Sequence, residues 1–409
     1  MKQKKVLCLF DYIARTGFGT VSRNIVKELT NHFGEDLQLD IVAINYFGEP
    51  YYESPNVFVC PAKKVDDKQD DYGRFFFLKM LNESNEYDAI FICNDLGIIT
   101  PFIEVMQHIK KEKKENNKKS FKSIFYFPVD CRLIEQLVLN LDFFDVLVTY
   151  TEHARAEVLR FKPELKTKLK VIPHGNNSKD FFPIEDIEQF RNDYFGNDNA
   201  NKFIITNVNR NQPRKDLPNT IFGFIEAKKI WDKNLAQPFL YLHCHPKDPM
   251  GWDIRAIMLQ TDLVEDIDYK LLPKEYELEG TDIPTLNKIY NASNCFLTTT
   301  LGEGYGITFV DSAATKTPIV APYNTSFMEM SGFGKNAWML YTQLPTCNPI
   351  DNVIREQSDP TEIAETLLAV AKSVGTDEYW GKINRSYEWV KKQEWSEVCK
   401  KWIEYFKNI

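Results

Sequence analysis

The sequence predicts an α/β chain of two Rossmann-like, doubly wound parallel-sheet domains facing a central cleft. Three observations carry this expectation. Apolar runs of strand length alternate with amphipathic helical segments along all 409 residues. The strand-like runs are continuously apolar, as in "VLCLF" and "AIFICND", which suits strands covered on both faces of a parallel sheet. Two such series occur, and a chain of this length is too long for one ordinary core.

In the first series, "KVLCLFDY", "LDIVAINYF", "VFVC", "YDAIFICND", "KSIFYFPVD", "DVLVTYT" and "KLKVIPHG" read as strands. "KFIITNVNR", "PFLYLHCH", "DYKLL", "CFLTTT" and "TPIVAP" form the second. Amphipathic segments such as Val21 to His32, Glu152 to Phe161 and Pro218 to Trp231 lie between them. The break falls in "VIPHGNNSKDFFP", where a strand ends in a segment rich in Pro, Gly and Asn. From Tyr379 the tail is helical by period, with Trp389, Trp395, Trp402 and Phe406 among its apolar anchors. The expected domains are 1–172, 173–385 and a terminal helix, 386–409.

Composition narrows the function. The chain is 43% hydrophobic and 13% aromatic, enough for two cores, and its formal net charge of −8 argues against a role in coating nucleic acid. The start, "MKQKKVLCLFDY", runs directly into a strand pattern and does not read as a signal peptide. No apolar stretch approaches the roughly 20 residues that span a bilayer. The eight cysteines are scattered without a CxxC pair, which fits buried thiols in a reducing compartment. A cytoplasmic protein is expected, soluble or at a membrane surface.

The segment "TTTLGEGYGITFVDSAATKTPIVAP" places Glu303 and Asp311 around a glycine turn that leads from a strand into a helix. Gly304 and Gly306 let backbone approach a ligand, and the free N–H groups of a helix starting near Ile307 suit an anion. Asp311, in the early turns, suits two neighbouring hydroxyls such as those of a ribose. The alternative is a capping acid with an unrelated loop acid.

"NVNRNQPRKDLPNTIFGF" follows another strand and carries Arg210, Arg214 and Lys215 within six positions. A guanidinium and an ammonium there would neutralise a diphosphate, more strongly as its charge grows on leaving. A solvated basic loop is the alternative. In "FDYIARTGFGTVSRNIVKEL", Gly17 and Gly19 precede a helix, but Ser22 stands where the third glycine of a dinucleotide fingerprint belongs, which weakens a dehydrogenase reading. The two glycines read equally as a loop facing a phosphate and as a simple strand-to-helix turn. Asp130 ends a strand, where it could orient a sugar or acceptor hydroxyl; a plain surface carboxylate is the alternative.

Other motifs carry less. His243 and His245 share a strand face without further metal ligands, and His174 reads as a turn residue. The acidic stretches "VDDKQDD" and "VEDID" read as solvated loops, and no metal site is expected. The lysine-rich run Lys110 to Lys122 reads as a solvated helix end, or as a contact for an anionic acceptor or membrane surface.

Taken together, "IPTLNKIYNASNCFLTTTLGEGYGITFVDSAATKTPIVAP" resembles the signature region of the retaining glycosyltransferase family 4 (group 1), which has the two-domain GT-B architecture. "VIPHGNNSKDFFP" resembles the interdomain segment of that family, and "NVNRNQPRKD" its phosphate-binding loop. The tail resembles the helix that crosses back to the first domain. By position, the resemblance implies that Arg210 and Lys215 hold the donor diphosphate and that Glu303 contacts the transferred sugar. It gives the amides of Gly304, Tyr305, Gly306 and Ile307 to the sugar and phosphate, and Asp311 to the ribose. It also implies a metal-independent transfer that keeps the anomeric configuration, the leaving phosphate taking the acceptor proton. The sequence departs from the pattern at Asp311, where glutamate is commoner, at Lys316, where glycine is usual, and at Asn209, where a glycine usually precedes the arginine.

The expected activity is hexosyl or pentosyl transfer from a nucleotide-sugar, UDP-linked ahead of GDP-linked, to a hydroxyl acceptor such as a glycan, lipid-linked sugar or protein. The nucleotide-sugar is a co-substrate, and no cofactor is expected. The Lys-, Asn- and Ile-rich composition keeps a hydroxylated base of modified DNA as an alternative acceptor, flipped out of the helix. A non-catalytic GT-B-like binding subunit, and an epimerase or phosphorylase on the same architecture, are alternatives of other classes.

Overall fold

The computed structural model describes residues 3–62, 70, 72–347 and 353–409. The chain divides into two compact units. The first comprises Met1–Val129, Leu133–Gly175 and Trp395–Ile409; the second comprises Asp130–Arg132 and Asn176–Glu394.

In the first unit, eight strands form one sheet in the order β3-β4-β2-β1-β5-β6-β7-β8. They are β1 Lys4–Phe10, β2 Leu37–Ala43, β3 Tyr51–Ser54, β4 Val57–Pro61, β5 Ala89–Cys93, β6 Lys122–Phe127, β7 Val146–Thr149 and β8 Leu169–Val171. Every neighbouring pair is parallel except β3 with β4. β5 is buried along its whole length, as continuous apolar strands of a covered sheet must be. The helix Gly17–Phe33 buries Val21, Ile25, Val26 and Leu29 at helical spacing, and the Thr16 hydroxyl caps it by accepting the Gly19 N–H at 3.0 Å. Helix Trp395–Lys407 belongs to this unit. Its buried face is Trp395, Val398, Cys399, Trp402 and Phe406, with the Trp402 ring 5.0 Å from Phe91 and 4.9 Å from Tyr126.

In the second unit, six strands are all parallel, in the order β11-β10-β9-β12-β13-β14. They are β9 Phe203–Val208, β10 Pro238–His243, β11 Tyr269–Leu271, β12 Cys295–Leu297, β13 Ile319–Pro322 and β14 Trp338–Leu340. The chain starts in the middle at β9, winds outward through β10 and β11, then returns to β12 and winds the other way. That is the doubly wound order, with its reversal between β9 and β12. A separate antiparallel hairpin follows, β15 Gln343–Cys347 with β16 Ile354–Ser358.

The unit boundaries fall after Gly175 and Glu394, where the sequence placed them after 172 and 385. Helix Asp377–Val390 stays with the second unit, where Trp389 meets Phe309 edge-on at 6.2 Å. Seven of the eight cysteines are buried, Cys347 being the exposed one. Among the described residues, no helix is long and apolar enough to cross a membrane.

Candidate functional site

β9 and β12 lie side by side, Cys295 opposite Ile205 and Phe296 opposite Thr206. Open parallel sheets take ligands outside the carboxyl ends of their strands, at the point where strand order reverses. Two loops leave that point, 209–216 after β9 and 298–306 after β12.

A buried chain of polar groups ties these loops together. Asn207 Nδ2 donates to Thr220 Oγ1 at 2.9 Å, the Thr220 and Thr299 hydroxyls lie 2.7 Å apart, and Thr299 Oγ1 donates to the Asp216 carbonyl at 2.9 Å. Because the Thr299 proton goes to that carbonyl, the Thr220 hydroxyl donates to Thr299, and the chain runs in one direction. Thr300 Oγ1 donates to the Arg214 carbonyl at 3.2 Å, and the Leu301 N–H donates to the same oxygen at 2.8 Å. The "TTT" of the sequence is therefore a latch holding the cation loop against the acid loop.

Glycine is required at two places beside it. Gly306, at the start of helix Ile307–Ala314, has φ +98°, and a Cβ there would strike the Phe327 ring. A Cβ on Gly302 would strike the Asp130 carbonyl.

The latch brings opposite charges together. Glu303 is buried, its side chain 8% exposed; it forms an ion pair with Lys215 through Oε1 and lies 3.1 Å from Arg214 Nη1 through Oε2. Its backbone N–H donates to Thr325 Oγ1 at 2.9 Å. Burial alone would raise the Glu303 carboxyl, but Lys215 and Arg214 outweigh it and hold the group at about 2, so it is ionised at neutral pH. Burial lowers the Lys215 ammonium from its ordinary value, and Glu303 opposes that shift. Arg214 also donates from Nη1 to the Gly302 carbonyl at 2.5 Å and pairs through Nε with Asp130 Oδ2 at 2.9 Å.

Of the residues singled out from sequence, Lys215, Glu303 and Asp130 thus meet in one cluster. Arg214, to which the resemblance gives no role, joins them as the central cation. Arg210 stays outside, 57% exposed and 3.1 Å from Asp248. The two arginines look alike in sequence. The tight turn Pro213–Lys215 directs the second one inward, and only that turn distinguishes them.

Asp311 lies in the second turn of helix Ile307–Ala314 and is buried. Burial, with Asp180 nearby, pushes its carboxyl well above the ordinary value. Among the described residues, no side chain is hydrogen-bonded or ion-paired to that carboxyl. Tyr290 sits close by, its hydroxyl buried and likewise without a partner; burial, then Asp311, push that hydroxyl well above its usual range. Tyr305 is buried, and its carbonyl accepts the Ser326 hydroxyl at 2.8 Å. Gly304, Tyr305, Gly306 and Ile307 form the turn into the helix, and no side chain caps its first amides.

Gly17 and Gly19 belong to the first unit, in the opening turn of helix Gly17–Phe33 after β1. His174 is buried there, pushed down to about 3 by burial, with its Nδ1 2.8 Å from the Tyr126 hydroxyl. His243 is pushed down to about 4 by burial and lies 2.9 Å from the Tyr241 hydroxyl. Among the described residues, no three His, Cys, Asp or Glu side chains are grouped to hold a metal ion.

The lysine run is more engaged than its composition implies. Lys110 pairs with Asp145 at 2.8 Å and Lys119 with Asp88 at 2.6 Å, Lys113 is buried against the Ser84 carbonyl at 2.6 Å, and Lys122 bonds the Asn408 carbonyl. The acidic stretch 65–71 lies outside the described residues except for Asp70, which is buried and accepts the Arg74 N–H at 2.8 Å. In the second stretch, 264–268, Asp268 pairs with Lys228.

No protein-family profile and no curated protein sequence matches the chain. Solved structures do match, over essentially the whole chain. The sucrose-phosphate synthase of Thermosynechococcus elongatus superposes with a TM-score of 0.71 at 15% identity, covering 100% of this chain and 99% of that one. The fold is GT-B. Two further GT-B structures are similar throughout. Anabaena HepE, in complex with UDP and glucose, gives 0.66 at 12% identity, with 100% of both chains covered. The E. coli trehalose-6-phosphate protein bound with UDP-2-fluoro glucose gives 0.68 at 13% identity, covering 100% of this chain and 99% of that one.

Proposed function

We propose that the chain is a retaining glycosyltransferase that moves a sugar from a nucleotide-sugar, UDP-linked ahead of GDP-linked, to a hydroxyl acceptor. The observation that carries this reading is Glu303, buried and ionised between Lys215 and Arg214 at the strand-order reversal of the second sheet. Neighbouring GT-B structures hold UDP with glucose and UDP-2-fluoro glucose, which supports a UDP-linked donor.

In this reading Lys215 and Arg214 face the donor diphosphate, with Arg210 at the rim. As the bond between the sugar anomeric carbon and the phosphate oxygen breaks, negative charge gathers on the diphosphate, and the two cations stabilise that state more than the bound substrate. They supply the neutralising charge without a metal. The uncapped amides of the 304–307 turn point to the same anion. Glu303 accepts hydroxyls of the transferred sugar, and Asp311 with the Tyr290 hydroxyl meets the ribose diol. The acceptor hydroxyl attacks from the face the diphosphate leaves, its proton passes to the departing phosphate oxygen, and configuration is kept.

A panel of UDP- and GDP-sugars, with donor hydrolysis as readout and NMR of the product anomer, tests this. Hydrolysis of one UDP-sugar with an α-configured product from an α-linked donor is expected. Tight nucleotide binding without any turnover would make the chain a binding subunit, and an inverted product would reject the retaining mechanism.

A further inference from the structure

β13 lies beside β12 in the second sheet, Phe296 opposite Ile319 and Leu297 opposite Val320. The loop leaving β13 therefore runs along the acid loop that leaves β12. Three successive residues hold the acid loop from this side. Thr325 Oγ1 accepts the Glu303 N–H at 2.9 Å, and the Ser326 hydroxyl donates to the Tyr305 carbonyl at 2.8 Å. The Phe327 ring fills the space that a Cβ on Gly306 would need, and it stacks on Phe309 at 5.4 Å.

Thr325 opens helix Thr325–Met330 with φ +41°. Most non-glycine residues of positive φ among the described residues are Asn or Asp, whose short polar side chains tolerate the left-handed region; Thr325 is the one with a branched Cβ. There the Cβ crowds a backbone carbonyl and costs free energy that a glycine would not lose. Strain of this kind persists where the surroundings impose it, and it collects at functional sites.

The hydroxyl supplies the reason for a threonine. Thr325 is buried, and its one hydroxyl proton goes to Asn324 Oδ1 at 3.2 Å, which leaves a lone pair for the Glu303 N–H. A glycine would relax the backbone but take this acceptor from a buried N–H. Glu303 is thus held at both ends, its carboxylate by Lys215 and Arg214 and its backbone by Thr325.

We propose that Thr325 is a positioning residue for Glu303: its hydroxyl fixes the backbone from which the carboxylate reaches the transferred sugar, and the fold tolerates a strained residue to keep it there. The inference rests on the donor reading above and adds a third loop, after β13, to the two joined by the latch.

The test compares Thr325→Gly, Thr325→Val and Thr325→Ser with the wild type in the full chain. The readouts are kcat and KM for donor hydrolysis, calorimetric affinity for UDP or GDP, whichever the wild type binds, and Tm. The Gly and Val variants both lose the hydroxyl, and kcat should fall about tenfold in each. Their KM and nucleoside diphosphate affinity should stay within about twofold, because the nucleotide carries no group for Glu303. Thr325→Ser should return kcat to within about threefold of the wild type. Thr325→Gly should melt above Thr325→Val, which keeps the branched Cβ. Wild-type kcat in Thr325→Val, a Ser variant as slow as Val, or nucleotide affinity falling in step with kcat would overturn the role. A Gly variant melting below Val would overturn the strain. A wild type that hydrolyses no nucleotide-sugar would overturn the donor reading, and this role with it.

Discussion

The Glu303 side chain is 8% exposed, yet Lys215 and Arg214 keep its carboxyl charged down to about 2. Its folded value lies below the ordinary 4.5, so the carboxylate adds stability above that pH and loses it as pH falls from about 4.5 towards 2. Acid titration of unfolding should show this component in the wild type and lack it in Glu303→Gln, whose donor hydrolysis should fall on the order of 100-fold or more. Near-wild-type turnover would remove Glu303 from the site. Asp311 has the opposite sign. Burial raises its pKa, the fold favours the neutral acid, and ionisation works against the fold as pH rises. Asp311→Asn should therefore raise the Tm of the ligand-free protein at pH 8, by about 2–4 °C per kcal/mol recovered. The same variant should lose the thermal stabilisation that UDP gives the wild type. A lower Tm with UDP stabilisation intact would contradict both roles.

The element that sets the chemistry is the latch between loops 209–216 and 298–306. Thr299→Val keeps the shape but leaves the buried Thr220 hydroxyl proton without an acceptor, which should cost about 1–3 kcal/mol. Donor hydrolysis should drop roughly tenfold, since Lys215 is held through that loop, and Thr299→Ser should restore it; a Ser variant as slow as the Val variant would reject a hydroxyl-dependent role. Sequence made part of this visible. The strands β1, β5, β6 and β10 contain continuous apolar runs, and the glycine turn with its two acids is a compact motif. The three residues of β14 are too few to show a period, and the hairpin strands "QLPTC" and "IREQS" carry no apolar run, so neither element shows in the sequence. The lysine run shows the reverse problem. Its charges look solvated in one dimension, whereas Lys113 meets the Ser84 carbonyl and the Asn85 side chain only through the fold.

At the scale of the molecule, two mainly parallel sheets each have their own strand-order reversal, and the tail completes the first unit rather than standing apart. Trp402 is fully buried there against Phe91 and Tyr126. Trp402→Ala should cost about 3–5 kcal/mol by denaturant unfolding. UDP affinity in the folded fraction should hold, since the residues proposed to bind the donor lie in the second unit; a parallel loss of affinity would show that the tail contributes to the site. The central claim is that loops leaving β9 and β12 form one nucleotide-sugar site. A crystal structure of the chain with UDP tests it most directly. The diphosphate should lie on Lys215 and Arg214 and the ribose on Asp311, with Glu303 open towards the sugar position. UDP bound away from all four residues would contradict the account.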